Sequence, residues 1–193
     1  MLRAIAGHDP RDTSTSTEPV ADYSANLKRS LRGLKVGLPD EMFDFSGVDS
    51  EVKASVEKAV TLLEELGIEA ERMSLPTSAQ SGSVFLAIAD VESASFHSEW
   101  LRTRADDYDW STRTRLESAS LTPAIAYLRA QRGRELIRQE MMNALDRYDV
   151  IIMPSSPTIS PTIDSATGSP GGYYQGRLDL SRRRYTSPAA LAG

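Results

Sequence analysis

The sequence contains no cysteine, and only 7% of its 193 residues are aromatic. The absence of cysteine excludes disulfides, thiol catalysis and thiolate metal sites, and it fits a cytoplasmic protein. Long apolar runs are also missing, so the sequence predicts no membrane span. The net charge of -5 excludes a global field that would draw the chain to nucleic acid or anionic lipid. What is present, 40% hydrophobic and 25% charged residues, is typical of a globular domain with a core.

The first part of the chain predicts a loop followed by a strand–helix–strand unit. Residues 8–30 are polar and rich in Ser and Thr, which indicates a surface loop. Residues 34–38 alternate as in a short strand. A helix follows from a cap at Asp49 or Ser50, with apolar residues at helical spacing up to Gly67. A strand at 68–75 completes the unit, whose strands should be parallel.

The rest of the chain continues the α/β pattern. Apolar spacing predicts helices over 83–104 and 122–148, whereas the charged stretch 105–121 matches no element. Residues 149–154 are a short apolar run, typical of a strand buried on both faces. The chain from Pro154 to Arg184 is rich in Pro, Gly, Ser and Thr and predicts a loop.

Two strand ends are candidate site positions, because ligands of open α/β sheets bind beyond the carboxyl ends of strands. These ends are residues 38–41 and 153–157. Ser155 and Ser156 are the best placed hydroxyls, and either they line a pocket or they form a turn between two prolines.

Other reactive residue types have a structural interpretation beside the functional one. The S-x-x-K pattern at 50–53 and 55–58 can activate a serine, but here it fits a helix start and a solvent-facing helix surface better. His8 and His97 are far apart and fit structural roles. The acidic residues have no calcium-loop spacing, so no metal site is predicted; they are Glu92, Glu99, Asp106, Asp107 and Asp109.

A basic cluster lies on the third predicted helix. It either binds a phosphate or carboxylate or is a solvated face paired with neighbouring glutamates. Without interleaved aromatic residues it does not indicate nucleic-acid binding. Its members are Arg129, Arg132, Arg134 and Arg138.

Seven stretches, in order and across nearly the whole chain, together resemble the amidase signature family. They are residues 2–12, 31–39 (LRGLKVGLP), 52–67, 89–94 (ADVESA), 127–132 (YLRAQR), 148–157 (YDVIIMPSSP) and 186–193 (TSPAALAG). The sequence departs from the family at Ala190, where the family usually has Asn. The run Arg182-Arg183-Arg184 has no clear family counterpart.

The resemblance implies an α/β fold in which a large mixed sheet is covered by helices, with residues 1–193 as a partial, C-terminal portion of the domain. Family members hydrolyse the carbon–nitrogen bonds of linear amides, or supply ammonia from glutamine in a tRNA-dependent amidotransferase. Their chemistry uses a Ser nucleophile, a second Ser in a cis peptide and a Lys base, and it implies no cofactor and no metal.

The resemblance assigns no catalytic residue to this chain. The family's Gly/Ser-rich catalytic segment precedes the part that matches here. Residues 168–172 have a similar composition, but they follow a different strand from the one that the catalytic segment follows in the family. Arg115, within the segment 113–116, matches a family arginine near the substrate, and its alternative interpretation is an exposed charge.

Both ends of the chain cut through recognisable segments. The expectation is therefore a fragment of an amidase that is inactive alone and takes a small amide substrate only when completed by a missing N-terminal half. The alternatives are a genuine subunit of a split amidase or amidotransferase, and a non-catalytic module that binds a small molecule. The amide substrate and the oligomeric state are not readable from the sequence.

Overall fold

The computed structural model of the chain describes residues 1–25, 27–44, 46–159 and 180–193. It divides into two units, residues 1–32 and residues 33–193. The first unit contains a single helical turn, α1 (Leu2–Ile5), followed by turns and irregular backbone. The predicted surface loop is therefore confirmed for its described residues.

A three-stranded parallel sheet organises the second unit. Its strands are β1 (Lys35–Pro39), β2 (Glu69–Met73) and β3 (Val150–Ile151), in the order β2-β1-β3. The helix α3 (Ser50–Glu65) connects β1 to β2. The predicted strand–helix–strand unit with parallel strands is confirmed.

The ends of α3 follow local chemistry. The Asp49 side chain accepts a hydrogen bond of 2.8 Å from the Glu51 main-chain N–H, so Asp49 rather than Ser50 is the cap. Gly67 has a φ of +98°, in the left-handed region that closes helices and suits glycine.

Helices cover the sheet, and none of those in the described residues is both long and apolar enough to cross a bilayer. Three of them enclose the main apolar core, which consists of Leu75, Ile88, Ala130, Ile137, Met141, Ala144 and Leu191. The remaining elements are α2 (Asp40–Phe43), α4 (Ser81–Phe96), α5 (Ser98–Thr103), α6 (Trp110–Ser120), α7 (Ala124–Leu145), α8 (Leu180–Ala192) and 3-10 turns at Ser78–Gln80 and Ala105–Asp107.

The prediction of a single helix over 83–104 is wrong, because this segment forms two helices, α4 and α5, that are separated at His97. The His97 Nδ1 lies 2.8 Å from the Tyr108 hydroxyl. This contact holds the His97 ring against the segment after α5. The stretch 105–121, which carried no prediction, forms a 3-10 turn and α6; the Asp109 side chain caps α6 by accepting from the Thr112 N–H.

Two predictions for the last part of the chain also require correction. The strand β3 is two residues long and lies at one side of the described sheet, and Val150 is 44% exposed, so it is not buried on both faces. Residues 154–159 form no helix or strand, as predicted, but 180–184 belong to α8 rather than to a loop. Residues 160–179, which include the segment 168–172, lie outside the described residues.

Candidate functional site

The carboxyl ends of β1 and β3 lie side by side, because the two strands are parallel and paired, with Gly37 opposite Ile151. The two predicted strand ends therefore do meet at one edge of the sheet. Ser156 Oγ donates to the Thr158 carbonyl at 3.0 Å and accepts from the Thr158 N–H at 3.3 Å. These bonds form a turn, which is the second of the two interpretations given for the serines. Ser155 is exposed.

Glu41 is the charged residue that organises this edge. Its carboxylate accepts the Leu75 main-chain N–H at 2.8 Å and the Ser74 hydroxyl, which joins α2 to the end of β2. Burial raises the pKa of Glu41, but the bonds from Leu75 and Ser74 and the charge of Arg184 outweigh it, and the pKa falls below its usual value. The sequence interpretation included the segment 38–41 but gave Glu41 no role of its own. The only signal was its position directly after a strand.

The helix α8 lies over the same edge. The Arg184 guanidinium donates to the main-chain oxygen of Glu41 at 3.0 Å, and the buried Tyr185 hydroxyl donates to that of Met42 at 3.0 Å. Burial raises the pKa of Tyr185, so its phenol remains a protonated donor at neutral pH. Two main-chain acceptors of α2, the helical turn that follows β1, are thus paired with α8 side chains.

The arginine run 182–184, for which the resemblance gave no clear counterpart, makes three different contacts. Besides Arg184, Arg182 donates to the Thr158 hydroxyl at 3.3 Å, and the Arg183 guanidinium lies 4.9 Å from the Phe85 ring centre. The run therefore attaches α8 to the segment after β3, to α4 and to α2.

A concave surface that encloses a volume of about 450 Å³ lies between β2 and α7. Neither Arg115 nor the serines after β3 line it. Several of its charged groups already have protein partners. The Glu140 carboxylate accepts the N–H groups of Thr77 and Ser78 at 2.9 and 2.6 Å. Arg72 pairs with Asp40 and Asp44. This surface consequently offers mainly structural contacts.

Arg115, the predicted substrate-binding residue, lies on α6. Its guanidinium Nη1 is 3.0 Å from Asp90 Oδ1 on α4, and its side chain is 39% exposed. It is therefore neither buried nor a fully solvated charge. Its role at a substrate stays a prediction.

A serine–lysine pair is not found among the described residues. The chain has four lysines, and the Lys53 ammonium pairs with Asp44 at 2.8 Å. No described lysine makes a hydrogen bond to a serine hydroxyl, including those of the two S-x-x-K patterns. These patterns belong to the helix start and the surface of α3.

The acidic residues considered for a metal have separate roles. Asp106 pairs with Arg113 at 3.2 Å, and Asp109 caps α6. Glu92 accepts a hydrogen bond from the Tyr127 hydroxyl at 2.9 Å. The structure does not group these carboxylates closely enough to bind one metal ion together.

Two of the four arginines of the basic cluster on α7, Arg134 and Arg138, have protein partners. Arg138 forms two hydrogen bonds of 2.9 Å to Glu135, which together with Gln139 lower the pKa of Glu135 to about 2. Arg134 donates to the Leu191 carbonyl at the end of α8.

The histidines are likewise structural, since His8 Nδ1 lies 3.0 Å from the Thr15 hydroxyl within a turn.

Comparison with known proteins decides the family. The profile of the Amidase family matches residues 1–193. The chain belongs to this family. It is 30% identical to a glutamyl-tRNA(Gln) amidotransferase subunit from Moorella thermoacetica over 100% of the chain, and 36% identical to an amidase of Pseudomonas putida over 81% of the chain.

The match of this Amidase-family chain covers only part of its relatives. It spans 43% of the Moorella protein and 34% of the Pseudomonas protein. A solved structure from a vestigial protein complex, studied for the evolutionary origins of an s-triazine catabolic enzyme, superposes with a TM-score of 0.81 at 25% identity. That match covers 99% of this chain and 40% of the other. The α/β amidase fold is therefore confirmed for the part of the family domain that this chain represents.

Proposed function

We propose that this chain is the C-terminal portion of an amidase that hydrolyses the carbon–nitrogen bond of linear amides. Two observations carry this proposal. The family match covers residues 1–193, and the chain spans 43% of the Moorella protein. The Ser, cis-peptide Ser and Lys of the reaction lie outside this chain. A cytoplasmic location belongs to the same proposal.

Within this proposal the chain contributes support and one wall of the substrate site. Glu41, Arg184 and Tyr185 fix the carboxyl edge of the sheet, where ligands of α/β proteins bind. Arg115 contacts the substrate, since it is partly sheltered and retains donors that Asp90 does not occupy. No cofactor or metal takes part.

The chain alone is inactive and poorly stable in this proposal. Val150 on β3 is 44% exposed, and apolar side chains on a strand with one described neighbour favour association with other chains. A 193-residue protein that stays monomeric and melts cooperatively would contradict this part of the proposal.

A second candidate is a natural subunit that functions with a separate N-terminal chain. It is favoured by relatives that are themselves subunits of an amidotransferase. The intact mass of the native gene product separates the two candidates. A mass well above 21.2 kDa supports a fragment of a longer enzyme, whereas 21.2 kDa supports a subunit whose partner should co-purify.

The reaction itself is tested with a serine-reactive fluorophosphonate probe and a panel of linear amides. The native gene product should release ammonia from at least one amide and carry the probe on a serine outside residues 1–193. The isolated 193-residue chain should do neither. Probe attachment at Ser155 or Ser156, together with amide hydrolysis by the isolated chain, would show that this chain has its own catalytic site. Ligand binding without hydrolysis by any form would favour a non-catalytic binding module.

A further inference from the structure

The helix α7 carries apolar side chains on two opposite faces. Ile137 and Met141 belong to the face that packs in the main core. On the other side Leu136 is 57% exposed and Met142 is 46% exposed, whereas the outer side of a surface helix is normally polar. We call this side the outer face of α7. Its exposed residues follow one another at spacings of three or four positions, and they are Leu128, Arg132, Leu136, Gln139, Met142 and Asp146.

The two charged residues of the outer face are not paired within the described part of the chain. Arg132 and Asp146 make no ion pair and no side-chain hydrogen bond to the described residues, in contrast to Arg134 and Arg138. The unpaired cation and the unpaired anion are fourteen positions apart, which is about 21 Å along the helix axis. They are therefore too far apart to neutralise each other within one copy of the chain.

Gln139 lies midway between the two charges. Arg132 comes seven positions before it and Asp146 seven positions after it, while Leu136 and Met142 lie three positions to either side. In an antiparallel pair of α7 helices with a two-fold axis at Gln139, each residue meets the one that is equally far on the other side. Leu136 of one copy then faces Met142 of the other, and Arg132 faces Asp146. The outer face is thus complementary to itself in apolar contacts and in charge.

We propose that a second copy of this chain covers the outer face of α7, in an antiparallel dimer whose two-fold axis passes Gln139. An axis at Arg132 is disfavoured, because it would bring two copies of that arginine together. One helix face from each copy is a small interface, so the dimer should be weak and should dissociate on dilution. Leu136 is exposed again in the separated copies, and unfolding measured on dilute protein reports on these.

Sedimentation equilibrium of the native gene product tests the dimer through its dissociation constant. The mass should rise from that of one copy towards that of two as the protein concentration increases from micromolar to submillimolar. Arg132→Glu places two acids opposite each other, and symmetry repeats this in each dimer, so Kd should rise by about tenfold or more. The double variant Arg132→Glu/Asp146→Arg restores opposite charges and should return Kd close to the wild-type value.

Arg102→Glu is the matched control for the charge reversal. Arg102 is an exposed arginine on α5, and its replacement changes the net charge of the chain by the same amount without altering the outer face of α7. Its Kd should equal that of the wild type.

A cross-link tests the register independently of Arg132→Glu, should that variant not fold. Residues 1–193 contain no cysteine, so Gln139→Cys adds one thiol to this part of the gene product, at the two-fold axis. Mild oxidation should join two copies through residue 139, as identified by peptide mass. Asn143→Cys is the control, because its two copies would lie eight positions, or about 12 Å, apart along the helices, beyond the reach of a disulfide.

A gene product that stays monomeric at submillimolar concentration overturns the proposal; this is also the result expected if the outer face of α7 is covered by protein outside residues 1–193. A dimer whose Kd is unchanged in Arg132→Glu, or that oxidation does not cross-link through Gln139→Cys, has a different interface and overturns it too. These outcomes are independent of amide hydrolysis, which tests the proposed function separately.

Discussion

Arg184 and Glu41 are 143 positions apart in the chain, yet the Arg184 guanidinium donates a hydrogen bond of 3.0 Å to the Glu41 main-chain oxygen. The next residue, Tyr185, makes the equivalent bond to Met42. Two adjacent side chains of α8 thus satisfy two adjacent carbonyls of α2. The carboxyl end of β1 and α8 are therefore expected to unfold together.

Tyr185→Phe tests this connection. The substitution keeps the ring and leaves the buried Met42 carbonyl without its donor, so the free energy of unfolding should fall by about 1 kcal/mol or somewhat more. Urea denaturation of the native gene product measures the change. Tyr23→Phe, at a half-exposed position in the first unit, is the control and should have little effect. Equal effects at the two positions would contradict a specific role for Tyr185.

Glu41→Gln should destabilise the protein in a pH-dependent manner. The folded structure lowers the pKa of Glu41, so its stabilising contribution is present above the unfolded value near 4.5 and is lost as the pH falls through the lower folded value. At pH 7 the variant should have the lower urea midpoint. Below pH 4.5 the two proteins should converge, and a difference that is constant with pH would contradict this assignment.

Gly37→Ala should destabilise the central strand. A β-carbon at Gly37 would meet the Met73 sulfur and lie 3.1 Å from two atoms of the buried Tyr148 ring. Met73 can move, but the ring has little space, and we expect a loss of about 1–3 kcal/mol in urea denaturation. Unchanged stability would show that Tyr148 moves more freely than its burial indicates.

Neighbouring residues of α7 allow a paired test of the core. Ile137 is fully buried, and Ile137→Ala should lower the free energy of unfolding by roughly 2–5 kcal/mol. Leu136 is 57% exposed, and Leu136→Ala should have a much smaller effect on the same helix. A large effect at Leu136 would indicate that another surface covers this face of α7 in the native gene product.

Features set by neighbouring residues were predictable from the sequence. Asp49 caps α3 and Gly67 closes it, and both effects depend on a few consecutive residues. The parallel arrangement of β1 and β2 follows from the helix between them. These predictions needed no knowledge of distant contacts.

Features set by distant contacts were not predictable. The break at His97 lies where its ring contacts Tyr108, 11 positions later, and the limited burial of Val150 depends on which strands lie beside β3. The first residues of α8 were predicted as loop because they end a stretch rich in Pro, Gly, Ser and Thr, whereas the contact of Arg184 with Glu41 joins positions far apart in the chain.

The candidate site shows the same division. Arg115 was singled out by family resemblance, but its partner Asp90 is on another helix, and nothing in the local sequence joins the two. Glu140, which binds the N–H groups before α4 from 62 positions away, had no sequence signal either.

The pairing of β1 with strands on both sides has a kinetic consequence. β2 follows β1 after α2 and α3, whereas the Asp149 carboxylate that meets the Lys35 N–H beside β3 comes 114 positions later. Closing the longer loop costs more chain entropy, so β3 should join the sheet after β2 during refolding. Substitutions at Val150 should then accelerate unfolding more than they slow folding, whereas substitutions at Val36 should affect both rates.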